Sequence, residues 1–284
     1  MIPKIIHSRS QLHCHLNEYE EGAHSLFVSA NTYPEIFDLL CSDITKKSPK
    51  GWRKSSGGKM CYLWFPSDAL DDDDLADIND WKEHFKQYVL IGLNDNISDY
   101  FKDELDFCMA LDFNFLDTQA NKRTYFGVAV YQLKYKQSLP GMIVLQAALQ
   151  EAINYLPLHA ETRTTLVLTN VPCDPGACNV PCKLASEIAN KMNLAYIRAD
   201  LLCDKSALKR ISLDRKIPEW QELYECPGCI VLNGNVRDKT VLIIDDLYQS
   251  GATMWCYAKY LKKCGAKHVL GLPCVKTLRD TDNQ

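Results

Sequence analysis

The chain has 284 residues, is 46% hydrophobic and 24% charged, and carries 32 basic against 36 acidic side chains for a formal net charge of −4. These are the proportions of an ordinary folded protein, long enough for one large domain or two modest ones. They exclude a molecule coated with basic charge for nucleic acid or acidic membranes, and no apolar run approaches the about 18 residues needed to cross a bilayer.

Residues 1–4, Met-Ile-Pro-Lys, lack the layout of a secretion signal, so a cytoplasmic protein is expected. Residues 1–120 are rich in Phe, Tyr and Trp and read as a folded α+β region. Amphipathic helices are expected over 33–40 and 81–89, with strand contributions from 26–29 and 88–92. Asp71, Asp72, Asp73 and Asp74 form an acidic run of the kind expected on a solvated loop. His13, Cys14 and His15 are of metal-ligating type, and a non-ligating role is the expectation. The role of this region is open between a hood packed on the rest of the chain and a surface for a protein partner.

From about residue 133 onward the pattern alternates. It predicts a helix over 142–156, a β-branched strand over 165–171, a helix over 182–192 and a strand over 195–202. Short apolar runs at 230–232 and 241–244 follow, and a last strand covers 268–275. Strands and helices at this spacing imply right-handed crossovers, hence an α/β fold with a parallel sheet and helices on both faces. Cys256, Cys264 and Cys274 fall in the last helix and strand and read as core or near-core.

Residues 241–253 are the most specific stretch. Val241, Leu242, Ile243 and Ile244 suit a strand buried on both faces. Asp245 and Asp246 follow at the carboxyl edge of the sheet, where ligands bind in open α/β folds. Gln249, Ser250, Gly251, Ala252 and Thr253 then form a small-residue turn able to aim successive N–H groups at one anion. Met254, Ala258 and Leu261 recur at helical spacing, Lys262 and Lys263 lie in the last turn, and Gly265 stands where a left-handed cap is expected. A phosphate at that helix's N-terminus would meet free N–H groups and a positive dipole end.

This string resembles the 5-phosphoribosyl-1-pyrophosphate (PRPP) motif of the type I phosphoribosyltransferases, and the resemblance covers roughly residues 121–284. It implies that Asp245 and Asp246 hold the ribose hydroxyls, with Mg²⁺ bound directly or through those hydroxyls and water. It further implies that Gln249, Ser250, Gly251, Ala252 and Thr253 wrap the 5′-phosphate. Purine-salvage members carry an Asp where Gln249 stands, and an amide cannot act as a general base, which disfavours that branch. Tyr131 to Tyr135, the Val171-Pro172-Cys173-Asp174-Pro175 segment and the Asp-Asp motif follow the order of the ComF-like branch. The chain departs from that branch at residues 176–180, Gly-Ala-Cys-Asn-Val, and in having no N-terminal zinc ribbon.

By the same resemblance, residues 170–177 form the pyrophosphate loop, with Val171, Cys173 and Asp174 on the leaving-group side. No Arg or Lys lies in that loop. The cationic burden then shifts to Lys205, Lys209, Arg210 and Arg215, in the segment matching the family's mobile loop, and to Lys134.

The thirteen cysteines are odd in number and fit poorly with a fully paired disulfide framework. Cys226-Pro-Gly-Cys229 has the two-residue spacing that lets two thiolates chelate Zn²⁺, while Cys173, Cys178 and Cys182 cluster in the pyrophosphate-like loop. A Pro-Gly turn flanked by incidental cysteines is the expected explanation of the first motif, the alternative being that closure of the mobile segment brings the two cysteine groups together.

Two functions are compatible with these residues. One is Mg²⁺-dependent transfer of the phosphoribosyl group from PRPP, or the reverse reaction on a nucleoside 5′-monophosphate. The other is a non-catalytic sensor of the same ligands that binds a partner through residues 1–120, in a DNA-uptake or DNA-processing pathway. No nucleic-acid or membrane partner is expected for either.

Overall fold

The computed structural model describes residues 14–28, 32–57, 60–91, 104–117, 122–176, 179–204 and 213–278. They fall into two units, one within 14–91 together with 157–159, the other covering the remainder.

The smaller unit is built on an antiparallel sheet. Its described elements in chain order are β1 (Cys14–Glu18), β2 (His24–Val28), α1 (Thr32–Leu40), α2 (Ser42–Lys46), β3 (Arg53–Lys54), β4 (Cys61–Phe65), α3 (Asp72–Phe85) and β5 (Val89–Leu90). The sheet order is β1-β2-β4-β3. Period-two burial explains the strands. Leu26 and Val28 of β2 and Leu63 and Phe65 of β4 are buried, while Phe27 and Tyr62 stack on the other face with ring centroids 5.3 Å apart. Around Phe37, Trp52 lies at 5.8 Å and Trp81 at 5.2 Å, and Phe85 is 5.7 Å from Trp81.

The acidic run is not a loop. Asp71 caps α3 by accepting from the Asp74 N–H at 2.9 Å, and the Asp74 carboxylate accepts from the Asp71 N–H at 2.9 Å, so Asp72 to Asp74 form the helix's first turn. Carboxylates gather there because they satisfy free N–H groups and face the positive dipole end. Lys47 pairs with both Asp74 and Asp71.

The larger unit carries the parallel sheet. Its strands are β6 (Phe107–Ala110), β7 (Asp112–Phe113), β8 (Leu166–Asn170), β9 (Ala195–Ile197), β10 (Ala199–Leu201), β11 (Ile230–Leu232), β12 (Thr240–Tyr248) and β13 (His268–Lys276). Its helices are α4 (Tyr125–Lys136), α5 (Leu139–Asn154), α6 (Ala160–Thr164), α7 (Val180–Lys191), α8 (Leu213–Glu225) and α9 (Ala252–Lys263). The sheet runs β6-β13-β12-β8-β9, with β7 also pairing β13, and all of these pairs are parallel. Val241, Leu242, Ile243 and Ile244 of β12 are all fully buried, so both faces of the sheet are covered. Helices α4, α5 and α7 pack together and against the sheet, and α8 packs on α9. The α/β expectation thus holds in the structure.

Some elements depart from their sequence reading. The expected strand over 195–202 breaks at Arg198, whose N–H is taken by the Asn233 side chain at 2.7 Å. After the break, β10 leaves the parallel sheet and pairs antiparallel with β11. Residues 230–232 therefore belong to a separate two-stranded ribbon. Helix α4 was read only as a short motif, yet Thr124 caps it through the Gly127 N–H at 3.0 Å and left-handed Gln137 ends it. Cys256 and Cys274 are buried and Cys264, at the C-cap of α9, is half-buried, as core and near-core positions require.

Candidate functional site

Unequal strand lengths create the site. β12 pairs with β8 only as far as Ile244 opposite Asn170, but with β13 as far as Tyr248 opposite Lys276. Asp245 and Asp246 therefore lie beyond the end of β8 and open onto a cavity of about 1200 Å³. Asp246 is 9% exposed and accepts a 2.7 Å charge-assisted bond from the Lys134 ammonium of α4. Asp245 accepts from the Asp246 N–H at 2.8 Å. Burial, and then the neighbouring Asp246 charge, push the Asp245 carboxyl well above the usual carboxylate range. Burial pulls the Lys134 ammonium down, but the Asp246 carboxylate outweighs it and the net shift is upward.

Two adjacent carboxylates thus share one ammonium. Two carboxylates that offer hard oxygen donors side by side on one cavity suit a divalent cation. Asp245 and Asp246 are the residues that would hold Mg²⁺.

Helix α9 begins without a side-chain cap. Its N-cap is Gly251, at φ +83°, and a Cβ there would lie 2.3 Å from the Tyr248 hydroxyl and 2.6 Å from the Trp255 ring. The Ala252 N–H reaches the Ser250 hydroxyl at 3.4 Å. Among the described residues, no acceptor meets the main-chain N–H of Ser250, Gly251, Thr253 or Met254. The preceding carbonyl is tied back, since Gln249 O accepts from the Lys276 ammonium at 3.2 Å and from the Thr277 hydroxyl at 3.4 Å. Lys276 is itself buried, 2% exposed. Uncapped N–H groups at the positive end of a twelve-residue helix have the chemistry to attract an anion.

The structure brings Asp245, Asp246, Gln249, Ser250, Gly251 and Thr253 to this cavity, together with Val171 and Lys134. Ala252 is buried behind it. Cys173 and Asp174 are not among the lining residues. Cys173 is 1% exposed and its sulfur turns inward, 3.7 Å from that of Cys182, while Asp174 is exposed. The Arg198 guanidinium donates to the Cys182 sulfur at 3.1 Å and the Tyr196 hydroxyl lies 3.3 Å from it. The hydrogen bond from Cys173, then Tyr196 and the Arg198 charge, lower the Cys182 thiol to about 6, and Cys173 is correspondingly raised.

Lys205, Lys209, Arg210, Cys178 and His13 lie outside the described residues. Arg215 is exposed on α8, 3.7 Å from Glu219. Cys14 is half-buried with its thiol pushed up to about 11 by burial, and His15 stacks on Phe27 at 4.9 Å. Cys226 is exposed, and Cys229 is buried in a disulfide with Cys203. The sulfur that joins the Cys226 and Cys229 pair is therefore Cys203, not one from the 173–182 segment.

Among the lining residues that sequence reasoning missed, three carry polar N–H groups of note. Arg123 lies 4.5 Å from the Phe115 ring and 4.9 Å from the Tyr131 ring and donates to Asn114 at 2.8 Å. Lys183 sits in the first turn of α7, and Trp220 on α8 has a buried indole N–H with no acceptor among the described residues. The Lys122-Arg123 pair ahead of a Thr cap was the only signal for the first.

No family model matches this chain. It is 37% identical over 67 residues to a hypoxanthine/guanine phosphoribosyltransferase of Methanothermococcus okinawensis, a match covering 24% of this chain and 36% of that protein. The chain thus spans about a third of the curated relative's length. Among solved structures it is similar to a purine phosphoribosyltransferase of Pyrococcus horikoshii, with TM-score 0.31 and 16% identity over 49% of this chain and 74% of that one. A phosphoribosylpyrophosphate synthetase of Mycobacterium smegmatis gives TM-score 0.30 and 16% identity over 47% of this chain and 33% of that one. Among the described residues, no helix is long and apolar enough to cross a membrane.

Proposed function

We propose that residues 121–284 form a phosphoribosyltransferase-like domain of the ComF-like branch that binds PRPP or a nucleoside 5′-monophosphate and transfers the 5-phosphoribosyl group. One observation carries the reading: the uncapped N–H groups of Ser250, Gly251, Thr253 and Met254 open beside two carboxylates in one cavity. A sugar phosphate is the ligand that needs an anion cup and two hydroxyl acceptors side by side. The cup takes the 5′-phosphate, and Asp245 and Asp246 accept from the ribose diol.

Displacement at the anomeric carbon passes through an oxocarbenium-like state, so the protein's work is placement and charge. Arg123, Lys134 and Lys183 line the cavity and supply cations for the departing pyrophosphate. Bound Mg²⁺ would add neutralising charge for that group. Lys134 has a second task, because its ion pair aims the Asp246 carboxylate. Gln249 cannot take a proton from an incoming base, so transfer relies on an acceptor that is already nucleophilic. Residues 1–120 are assigned to a protein partner.

Calorimetric titration with PRPP and a panel of nucleoside monophosphates, with and without Mg²⁺, tests the reading. Asp245→Asn and Asp246→Asn should each weaken binding by about 1.5–3 kcal/mol, the worth of a hydrogen bond to a charged group. Unchanged affinity in both variants contradicts the assigned roles. Gln249 also favours a second reading, a sensor that binds PRPP without turnover. Pyrophosphate release in the presence of a panel of nucleobases separates the two.

A further inference from the structure

Three sulfurs converge at a place the phosphoribosyl site does not use. Those of Cys203, Cys226 and Cys229 all lie within 4.8 Å of one another. They come from two segments brought together by β10 and β11, whose register sets Leu201 opposite Ile230. That pairing continues one step further, since the Leu202 N–H donates to Cys229 O at 2.8 Å, and it leaves the Cα atoms of Cys203 and Cys229 5.3 Å apart. Cys226 arrives from the end of α8, where its N–H donates to Glu222 O at 3.0 Å. The intervening Pro227-Gly228 turn is tight: the Cys229 N–H returns to Cys226 O at 3.1 Å, and Gly228 sits at φ +80°.

We propose that Cys203, Cys226 and Cys229 form a binding site for a thiophilic divalent cation, Zn²⁺ in the first instance. A Zn–S bond is about 2.3 Å, so sulfurs sharing a tetrahedral ion stand about 3.8 Å apart; once the Cys203–Cys229 bond is reduced its two sulfurs can separate to that spacing, with Cys226 already within 4.8 Å of both. Cys226 is exposed and Cys229 buried, so the ion sits at the boundary with water, which completes the fourth position. No other cluster of three such ligands is found among the described residues.

The Cys203–Cys229 disulfide is the oxidised, metal-free form of the same cluster. A dithiol reductant delivers two electrons and two protons to the S–S bond and becomes a disulfide itself, which leaves two thiols. Zn²⁺ then binds three thiolates and the three thiol protons go to solvent. The loaded ion ties the end of α8 to the β10–β11 ribbon.

The test uses the full chain, reduced with a water-soluble phosphine and then freed of it. Competition against a chromogenic zinc chelator should show one tight equivalent per chain, and Co²⁺ should give a sulfur-to-metal charge-transfer band. Cys226→Ser, at an exposed position that leaves the fold intact, should weaken uptake about hundredfold or more, since it removes one of three thiolates. Cys173→Ser with Cys182→Ser should leave the equivalent in place. Failure of the reduced wild type to take up zinc overturns the proposal. So does wild-type affinity in Cys226→Ser, or loss of the equivalent in the Cys173 and Cys182 double variant.

Discussion

Asp245 is held in a place that suits its neutral form better than its charged one, and the sign of that effect can be worked out. Its carboxyl is raised in the folded state, so the associated stability is fully present below the unfolded value of about 4 and is lost as pH rises toward the folded value. Asp245→Asn should therefore raise the melting temperature of the ligand-free protein near neutral pH. The gain should vanish below about pH 4, where the native side chain is protonated too. Melting curves at both pH values check this, and an equal gain at each would show that burial of the charged carboxylate is not its source. Cys182 makes a second residue-scale case. Cys173→Ala should move its thiolate titration upward from about 6, because the strongest of its stabilising contacts is gone. A thiolate absorbance titration that stays put contradicts the pairing.

At the scale of elements, the thirteen residues from Val241 to Thr253 were legible because several local rules agree in them. A buried run, two carboxylates and a glycine turn each point to a strand, its edge and a helix start. The acidic run of α3 misled because a row of Asp residues reads as a solvated face, while its capping role depends on where the helix begins. Asp71→Ala should cost about 0.5–2 kcal/mol by chemical denaturation, the usual loss for a removed cap, and no loss would mean that the reciprocal bonds with Asp74 contribute nothing. Arg123 and Trp220 were invisible for a different reason. Their approach to the cavity depends on where α4 and α8 stand in the tertiary fold, which local sequence pattern does not carry. Pro218 inside α8 hid that helix further. Gly251→Ala tests the turn itself. A methyl group would press on Tyr248 and Trp255 at a positive φ, so a loss of about 1–3 kcal/mol in stability and of phosphate binding is expected.

For the whole molecule, ligand binding and stability are one quantity. PRPP at a hundred times its dissociation constant should stabilise the native chain by about 2.7 kcal/mol, a rise of about 5 °C or more in melting temperature. If the paired carboxylates hold Mg²⁺, that shift should shrink sharply in the presence of a chelator, and thermal melts with and without it decide the matter. Lys276 connects this scale to the smallest one. It ends the strand that follows α9 in the chain, and its buried ammonium grips the carbonyl of Gln249. A peptide plane held by its oxygen cannot swing round, so the electrical polarity of the bend is frozen with hydrogens outward. Without that anchor the same backbone, rotated half a turn, would present oxygens and repel the anion proposed to bind there.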